Sequence, residues 1–330
     1  MGILGTAKIA RAFAAGVGPS KAVTVTAVAS RDPVKAGRFA SEYDILTAYG
    51  SYEQLLDDPA IDAVYIPLPN GLHAEWCIRA AAAGKHVLCE KPLAATAADV
   101  KAMFAAAQRH SVQLVEAFPY RSQPHAGKLK GLIDAGAIGR VVSIQAAFGF
   151  TLTDPANIRF DPSLAGGALM DAGTYPVSLV RWLAGERPNR VYATAQWHAT
   201  GVDQTLIASL EHRSGLMAQI SCSFTTGVHR QALIAGTDGV IQTTYLNTPP
   251  LDRPAVLQLK RGTSGDAVYE SVEVPALNGF RAEAESFERS IRLGPGHWDG
   301  ATPHESLDIL VTLEALLESG RTRMPVEVTA

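Results

Sequence analysis

Cysteine is scarce in this sequence: Cys77, Cys89 and Cys222 are widely spaced and form no C-x-x-C pair. That excludes a disulfide framework and a zinc ribbon. The nine histidines form no H-x-H or H-E-x-x-H cluster, so no metal site is expected. An excess of either charge is also missing, with 29 Lys and Arg against 32 Asp and Glu and a formal net charge of −3. Basic residues lie among acidic ones, so neither nucleic acid nor an anionic membrane is an expected partner. Apolar runs are broken by Gly, Pro or charge well short of the ~20 residues a membrane span needs. A glycine-bearing turn opens the chain with no charged leader ahead of it, which makes a cytoplasmic location the expectation.

What the chain does have is length and apolar content. With 330 residues, 47% of them hydrophobic, it can fill two cores. Up to residue 120, strands predicted at 23–29, 63–67, 86–90 and 113–117 alternate with helices predicted at 33–43, 72–83 and 96–110. This rhythm predicts a doubly wound parallel sheet, a dinucleotide-binding Rossmann domain over residues 1–120. Strands dominate residues 121–330, at 141–150, 191–198, 205–210, 217–224, 231–235, 239–245, 255–260 and 267–274. Several alternate with period two, as expected of an antiparallel or mixed sheet with one covered face. Helices are predicted there at 123–135, 172–183, 281–292 and 304–319, making this a second α/β domain.

Gly5, Ala7 and Ala10 stand at the G-x-G-x-x-(G/A) positions of a dinucleotide turn. Small residues there permit a tight turn, close approach to the pyrophosphate and close helix packing. Ala7 replaces the middle glycine, which weakens the fingerprint. Thr6, Lys8 and Ile9 complete a turn that aims a helix N-terminus at an anion. After the second strand, where an acidic residue would accept the ribose 2′-hydroxyl, stand Ser30 and Arg31. They suit a 2′-phosphate, through charge-assisted hydrogen bonds, so NADP is the expected coenzyme; Asp32 leaves room for NAD. The bland alternative is an ordinary strand–turn–helix with a solvent-facing Arg.

Three further strings follow in order: Ile66-Pro67-Leu68-Pro69-Asn70-Gly71-Leu72-His73, Gly84 to Leu88 running into Cys89-Glu90-Lys91-Pro92, and Gly166-Gly167-Ala168-Leu169-Met170-Asp171-Ala172-Gly173-Thr174-Tyr175. With the opening turn, they make the chain resemble the Gfo/Idh/MocA oxidoreductases over essentially its whole length. Within that family it is most similar to the branch of dimeric dihydrodiol dehydrogenases and NADP-dependent D-xylose dehydrogenases. The resemblance implies a second domain with a large, open, mostly antiparallel sheet that binds substrate and joins subunits as a homodimer or homotetramer. It implies that Lys91 lies beside the nicotinamide and the reacting carbon, with Glu90 and Pro92 shaping its turn. Pro67, Leu68, Pro69, Asn70 and His73 would line the cofactor side. The family frequently has His in the last string; this chain has Tyr175, as the dihydrodiol dehydrogenase-like branch does, where the tyrosine donates or accepts the proton.

Hydride transfer at a carbinol carbon requires a matching proton transfer at its oxygen. A cationic Lys91 near Tyr175 would favour the tyrosinate. Tyr175 is therefore expected as the acid/base and Lys91 as the group that tunes it, with Lys91 as direct proton donor the competing assignment. Asp171, four residues earlier, would share a helical face with Tyr175 and orient substrate or Lys91. Phe148 and Arg159 are candidate substrate contacts, against core packing and a structural ion pair. His73 has a capping or packing role as its alternative, and Gly166 and Gly167 are expected to serve backbone conformation. The expected activity is hydride exchange between NAD(P) and a carbon of a sugar, polyol or vicinal diol. The alternative is a catalytically silent NADP-binding regulator, which has no need of both Lys91 and Tyr175.

Overall fold

The computed structural model describes residues 1–329. The chain opens with β1 (Gly2–Leu4), α1 (Lys8–Val17), β2 (Ala27–Ala29), α2 (Pro33–Glu42), β3 (Thr47–Tyr49), α3 (Tyr52–Leu56), β4 (Ala63–Ile66), α4 (His73–Ala82), β5 (His86–Glu90), α5 (Ala97–Arg109) and β6 (Leu114–Ala117). It continues with α6 (Pro124–Asp134), β7 (Val141–Thr151), α7 (Thr174–Ala184), β8 (Arg190–Trp197), β9 (Asp203–Glu211), β10 (Met217–Ser223), β11 (Thr225–Gly236), β12 (Gly239–Thr244), β13 (Ala255–Arg261) and β14 (Tyr269–Val274). The last elements are α8 (Gly279–Leu293), α9 (Pro303–Thr322) and β15 (Val326–Glu327).

Two compact units result. One comprises Met1–Ser122 with Asn278–Pro303, the other Gln123–Leu277 with the chain from His304 on. The contiguous division expected at residues 120 and 121 is corrected at α8, which returns to the first unit. Its Phe280, Ala284 and Phe287 are buried with Phe13 and Val17 of α1, and Phe280 meets Phe13 edge-on at 6.3 Å. Periodicity shows that α8 has an apolar face; it does not say which core receives it.

In the first unit β1 to β6 form a parallel sheet of order β3-β2-β1-β4-β5-β6. The strand order reverses between β1 and β4, and ligands bind beyond the carboxyl ends of strands at such a switch point. The strand expected at 23–29 is regular only over Ala27–Ala29, because β1 offers it only the partners Gly2, Ile3 and Leu4. The three-residue β3 was not expected from sequence; so short a run carries no readable period.

The second unit holds a nine-stranded sheet of order β14-β13-β12-β11-β7-β10-β9-β8-β15, antiparallel except where β7 and β10 run parallel. Alternation sorts its faces. Ile144, Ala146, Leu206, Ala208, Ile220 and Ile234 are buried, whereas Gln145, Ile207, Gln219 and Gln231 point the other way into solvent. No helix among the described residues is long and apolar enough to cross a membrane.

Candidate functional site

Every cofactor residue expected from sequence ends or follows a strand of the parallel sheet or opens the next helical segment. A concavity of about 500 Å³ there is lined by Gly5, Thr6, Ala7, Ser30, Arg31, Asp32, Lys35, Tyr52, Pro67, Leu68 and Pro69. Gly5 has φ +108°, and a Cβ on it would stand 3.1 Å from Leu68 Cδ2, so this turn requires glycine. Ala7, by contrast, has φ −62° and ψ 164°, an ordinary extended conformation that alanine adopts without strain. The substitution that weakened the fingerprint therefore costs the backbone nothing. Ala7 supplies no side-chain cap, and the first turn of α1 carries no acidic residue, which leaves its N–H groups oriented for an anion. Lys8 and Ile9 open α1 and Asn70 begins the short helical turn Asn70–Leu72; none of the three lines the concavity.

At the end of β2, Ser30 is buried and its Oγ accepts from Asp32 N at 3.2 Å. Asp32 Oδ1 accepts from Val34 N at 3.0 Å and Lys35 N at 3.2 Å, capping α2. Two lining residues were not anticipated from sequence. Lys35 adds a second cation to Arg31. Tyr52 is buried, which raises its phenol, while the Arg31 guanidinium beside it pulls the other way. Its ring meets Trp76 edge-on at 4.8 Å, and a Cβ on Gly5 would lie 3.7 Å from its hydroxyl. Tyr52 thus lies beside both the Gly5 turn and Arg31. Lys35 was legible as a first-turn lysine of α2; nothing local marks Tyr52.

Glu90 closes β5 with its carboxyl buried, and the Tyr65 hydroxyl donates to its Oε1 at 2.5 Å. Lys91 N donates to Glu90 Oε2 at 3.3 Å, and Leu93 N to Glu116 Oε1 at 2.9 Å. Backbone and two buried carboxyls thus hold the turn that carries Lys91. His73 is fully buried, with Nδ1 2.9 Å from Pro92 O and Nε2 2.8 Å from Leu68 O. Two carbonyls favour its protonation, but complete burial outweighs them and pulls the imidazole below its ordinary value. It lies outside the lining of the concavity and joins the Leu68 segment to the Lys91 turn. From α8, Glu283 is wholly buried; burial, reinforced by Glu90, pushes its carboxyl well up.

The remaining candidates belong to the second unit. Gly167 has φ +117°, and a Cβ on it would meet Asp203 Oδ1 at 2.3 Å, so the Gly-Gly string serves close approach. Asp203 accepts from Leu169 N at 2.7 Å, and burial raises its carboxyl to about 6. Asp171 lies on a π-type turn, Leu169–Gly173, rather than a regular helical turn, and Arg159 Nε meets its Oδ2 at 2.7 Å. That ion pair joins two residues that were expected to contact ligands separately. Tyr175 sits in the first turn of α7, buried, with its ring edge-on to Phe148 at 5.5 Å. Asn247 Nδ2 donates to the Tyr175 hydroxyl at 2.8 Å, and the Arg230 guanidinium lies 3.8 Å from its ring centroid. Neither neighbour was expected, since both reach Tyr175 from far along the chain. Among the described residues no group of His, Cys, Asp and Glu is arranged to hold a metal.

Residues 1–118 match the model of the oxidoreductase family with an NAD-binding Rossmann fold, and residues 127–242 match the Gfo/Idh/MocA C-terminal domain. The chain is 40% identical to a D-xylose 1-dehydrogenase (NADP(+)) of Haloferax volcanii, over 99% of each chain. It is 39% identical to trans-1,2-dihydrobenzene-1,2-diol dehydrogenase of Xenopus laevis, over 73% of this chain and 74% of the relative. A 3-ketoreductase from Actinomadura kijaniata, solved with NADP and TDP-benzene, has 30% identity, a TM-score of 0.87 and 96% coverage of both chains. With its parallel dinucleotide-binding sheet, its nine-stranded partner and these relatives, the chain belongs to the Gfo/Idh/MocA family of oxidoreductases.

Proposed function

We propose that this protein is an NADP-dependent dehydrogenase acting on a CH–OH carbon of an aldose or a vicinal diol. The observation that carries the reading is the concavity at the switch point, where an uncapped helix N-terminus, the Gly5 turn, Arg31 and Lys35 converge. The residues fit the coenzyme: Gly5, Thr6 and Ala7 would hold the pyrophosphate, and Ser30, Arg31 and Lys35 the 2′-phosphate. Asp32 Oδ1 caps α2 and its Oδ2 lies 3.7 Å from Lys35 Nζ, so NAD stays the secondary coenzyme of this reading. NADP supplies the hydride acceptor or donor. The chain supplies the proton: Tyr175 takes it from the alcohol oxygen during oxidation, or gives it to the carbonyl oxygen during reduction. Lys91, on a turn fixed by Glu90 and Glu116, provides positive charge for that oxygen.

Aldoses and vicinal diols are proposed because the relatives named above include a D-xylose dehydrogenase and a dihydrobenzenediol dehydrogenase. Fluorescence titration with NADPH and NADH, followed by coenzyme-coupled absorbance on a panel of aldoses, ketoses and diols, tests the reading. Tighter NADPH binding with turnover of at least one aldose or diol is expected. Tight binding without turnover on the whole panel would replace it with a regulator.

The outward face of the nine-stranded sheet supports a homodimer or homotetramer, and the location that goes with the proposed enzyme is the cytoplasm. Gln145, Gln219, Gln231 and Gln242 line a concavity of about 640 Å³ on that face together with Ile207, which is 58% exposed. Light scattering should give a mass of two or four chains that Ile207→Glu reduces; a wild-type monomer would exclude it.

A further inference from the structure

The surroundings of Tyr175 within its own unit contain more than a packing contact. Arg230, on β11 opposite Phe148 of β7, is largely buried. Its guanidinium carbon lies 3.8 Å from the Tyr175 ring centroid, 4.8 Å from that of Tyr245 and 4.9 Å from that of Phe148. Its Nη2 donates to Asn247 Oδ1 at 3.1 Å, and Asn247 Nδ2 donates to the Tyr175 hydroxyl at 2.8 Å. The loop carrying Asn247 is itself pinned, since Gln123 Nε2 donates to Leu246 O at 2.7 Å and to Asn247 O at 3.0 Å.

The order of donors matters. A guanidinium has no acceptor, so Asn247 must turn its oxygen toward Arg230 and its amide N–H toward Tyr175. The phenol oxygen therefore accepts from Asn247, and the Tyr175 O–H is directed away from that amide. A cation against the face of a buried ring is also stabilised by the ring, more strongly as the ring gains phenolate charge. Of the other charges on neighbouring segments, Asp171 precedes Tyr175 by four residues and is met by Arg159.

We propose that Arg230 and Asn247 are positioning residues that keep the Tyr175 oxygen a hydrogen-bond acceptor and its proton available for exchange with substrate. This rests on the reading of Tyr175 as the acid/base. During oxidation the alcohol O–H bond breaks and its proton passes to the tyrosinate oxygen. The C–H bond breaks with its electron pair going to the oxidised coenzyme, and a C=O bond forms. Asn247 and Arg230 gain and lose nothing; they steady the charge before the proton arrives. Reduction runs through the same groups in reverse.

The test compares Arg230→Met, Arg230→Lys, Asn247→Ala and Tyr175→Phe. Two readouts are used: the pH profile of kcat/KM for oxidation, and the NMR titration of ¹³Cζ-labelled tyrosines in protein without coenzyme. Tyr175→Phe assigns the Tyr175 resonance among the nine tyrosines. Arg230→Met is expected to move the Tyr175 midpoint and the acidic limb of the profile upward by about one pH unit. That lowers neutral-pH kcat/KM about tenfold, with recovery at high pH; Arg230→Lys should restore much of it. Asn247→Ala should shift both readouts in the same direction and serves where Arg230→Met does not fold. Folded Arg230→Met or Asn247→Ala with the wild-type Tyr175 midpoint and profile would overturn the proposal, while Tyr175→Phe remained inactive. If Tyr175→Phe itself kept wild-type turnover, the underlying acid/base reading would be the one that failed.

Discussion

The Tyr65 hydroxyl donates to Glu90 Oε1 at 2.5 Å, while the Tyr65 ring stacks on Phe13 of α1 at 3.8 Å between centroids. One side chain thereby ties the helix behind the dinucleotide turn to the carboxyl that shapes the Lys91 turn. Tyr65→Phe keeps the stack and removes the donor from a buried carboxylate, a loss of about 1–3 kcal/mol in stability. Thermal or denaturant unfolding measures that loss. Turnover should fall more than NADPH affinity, because the Lys91 turn loosens while the phosphate turn stays intact. An unchanged midpoint with unchanged turnover would show that the Tyr65–Glu90 contact does not support the turn.

Coenzyme choice is expected to follow Arg31. A charge-assisted hydrogen bond to phosphate contributes about 1.5–3 kcal/mol, so Arg31→Ala should weaken NADPH binding about tenfold to a hundredfold. NADH, which has no 2′-phosphate, should bind Arg31→Ala about as it binds the wild type. Parallel fluorescence titrations distinguish this from a general loss of the site, in which both coenzymes weaken together.

Tyr52 touches Arg31 and lines the same concavity as Gly5. Tyr52→Phe should therefore lower NADPH affinity by a smaller factor, about threefold to tenfold, again with little effect on NADH. Equal losses for the two coenzymes would assign Tyr52 to packing alone.

Asp203 gives the second unit a stability signature in pH. Its carboxyl is raised from 3.8 to about 6, chiefly by burial. Between those values the native state keeps a proton that the unfolded chain has released. The Asp203 contribution to stability is thus fully present below about 3.8 and falls as pH rises to about 6, where it levels off. Asp203→Asn keeps an acceptor for Leu169 N and does not titrate. Relative to wild type it should gain about 3 kcal/mol across that window, measured by urea unfolding at successive pH values. Parallel stability curves for the two proteins would contradict this.

Much of the first unit was legible because its signals are local. The turns after β1, β2, β4 and β5 each announce themselves in a few residues, and a parallel sheet brings those turns to one edge. Gly5, Arg31 and Pro67 therefore line the same concavity. His73 was legible as important but not in kind: its two ring nitrogens meet backbone carbonyls from different segments, which no local pattern displays. The same limit hid α8, whose Phe280 reaches a core more than 150 residues upstream, and Arg230 and Asn247, which meet Tyr175 across the sheet. A structural ion pair was one of two alternatives for Arg159, but Asp171 as its partner was not foreseen, because the π-type turn that sets Asp171 has no sequence period of its own.

Hydride transfer from a carbinol carbon to NADP is tested with an aldose deuterated at its anomeric carbon. Incubated with the protein and NADP, it should yield reduced coenzyme carrying one deuterium by mass spectrometry, with oxidised sugar formed in equal amount. NAD should give far less under the same conditions. Reduced coenzyme without the label would contradict direct transfer from that carbon, and tightly bound NADP that stays oxidised across labelled aldoses and diols would contradict the enzyme itself.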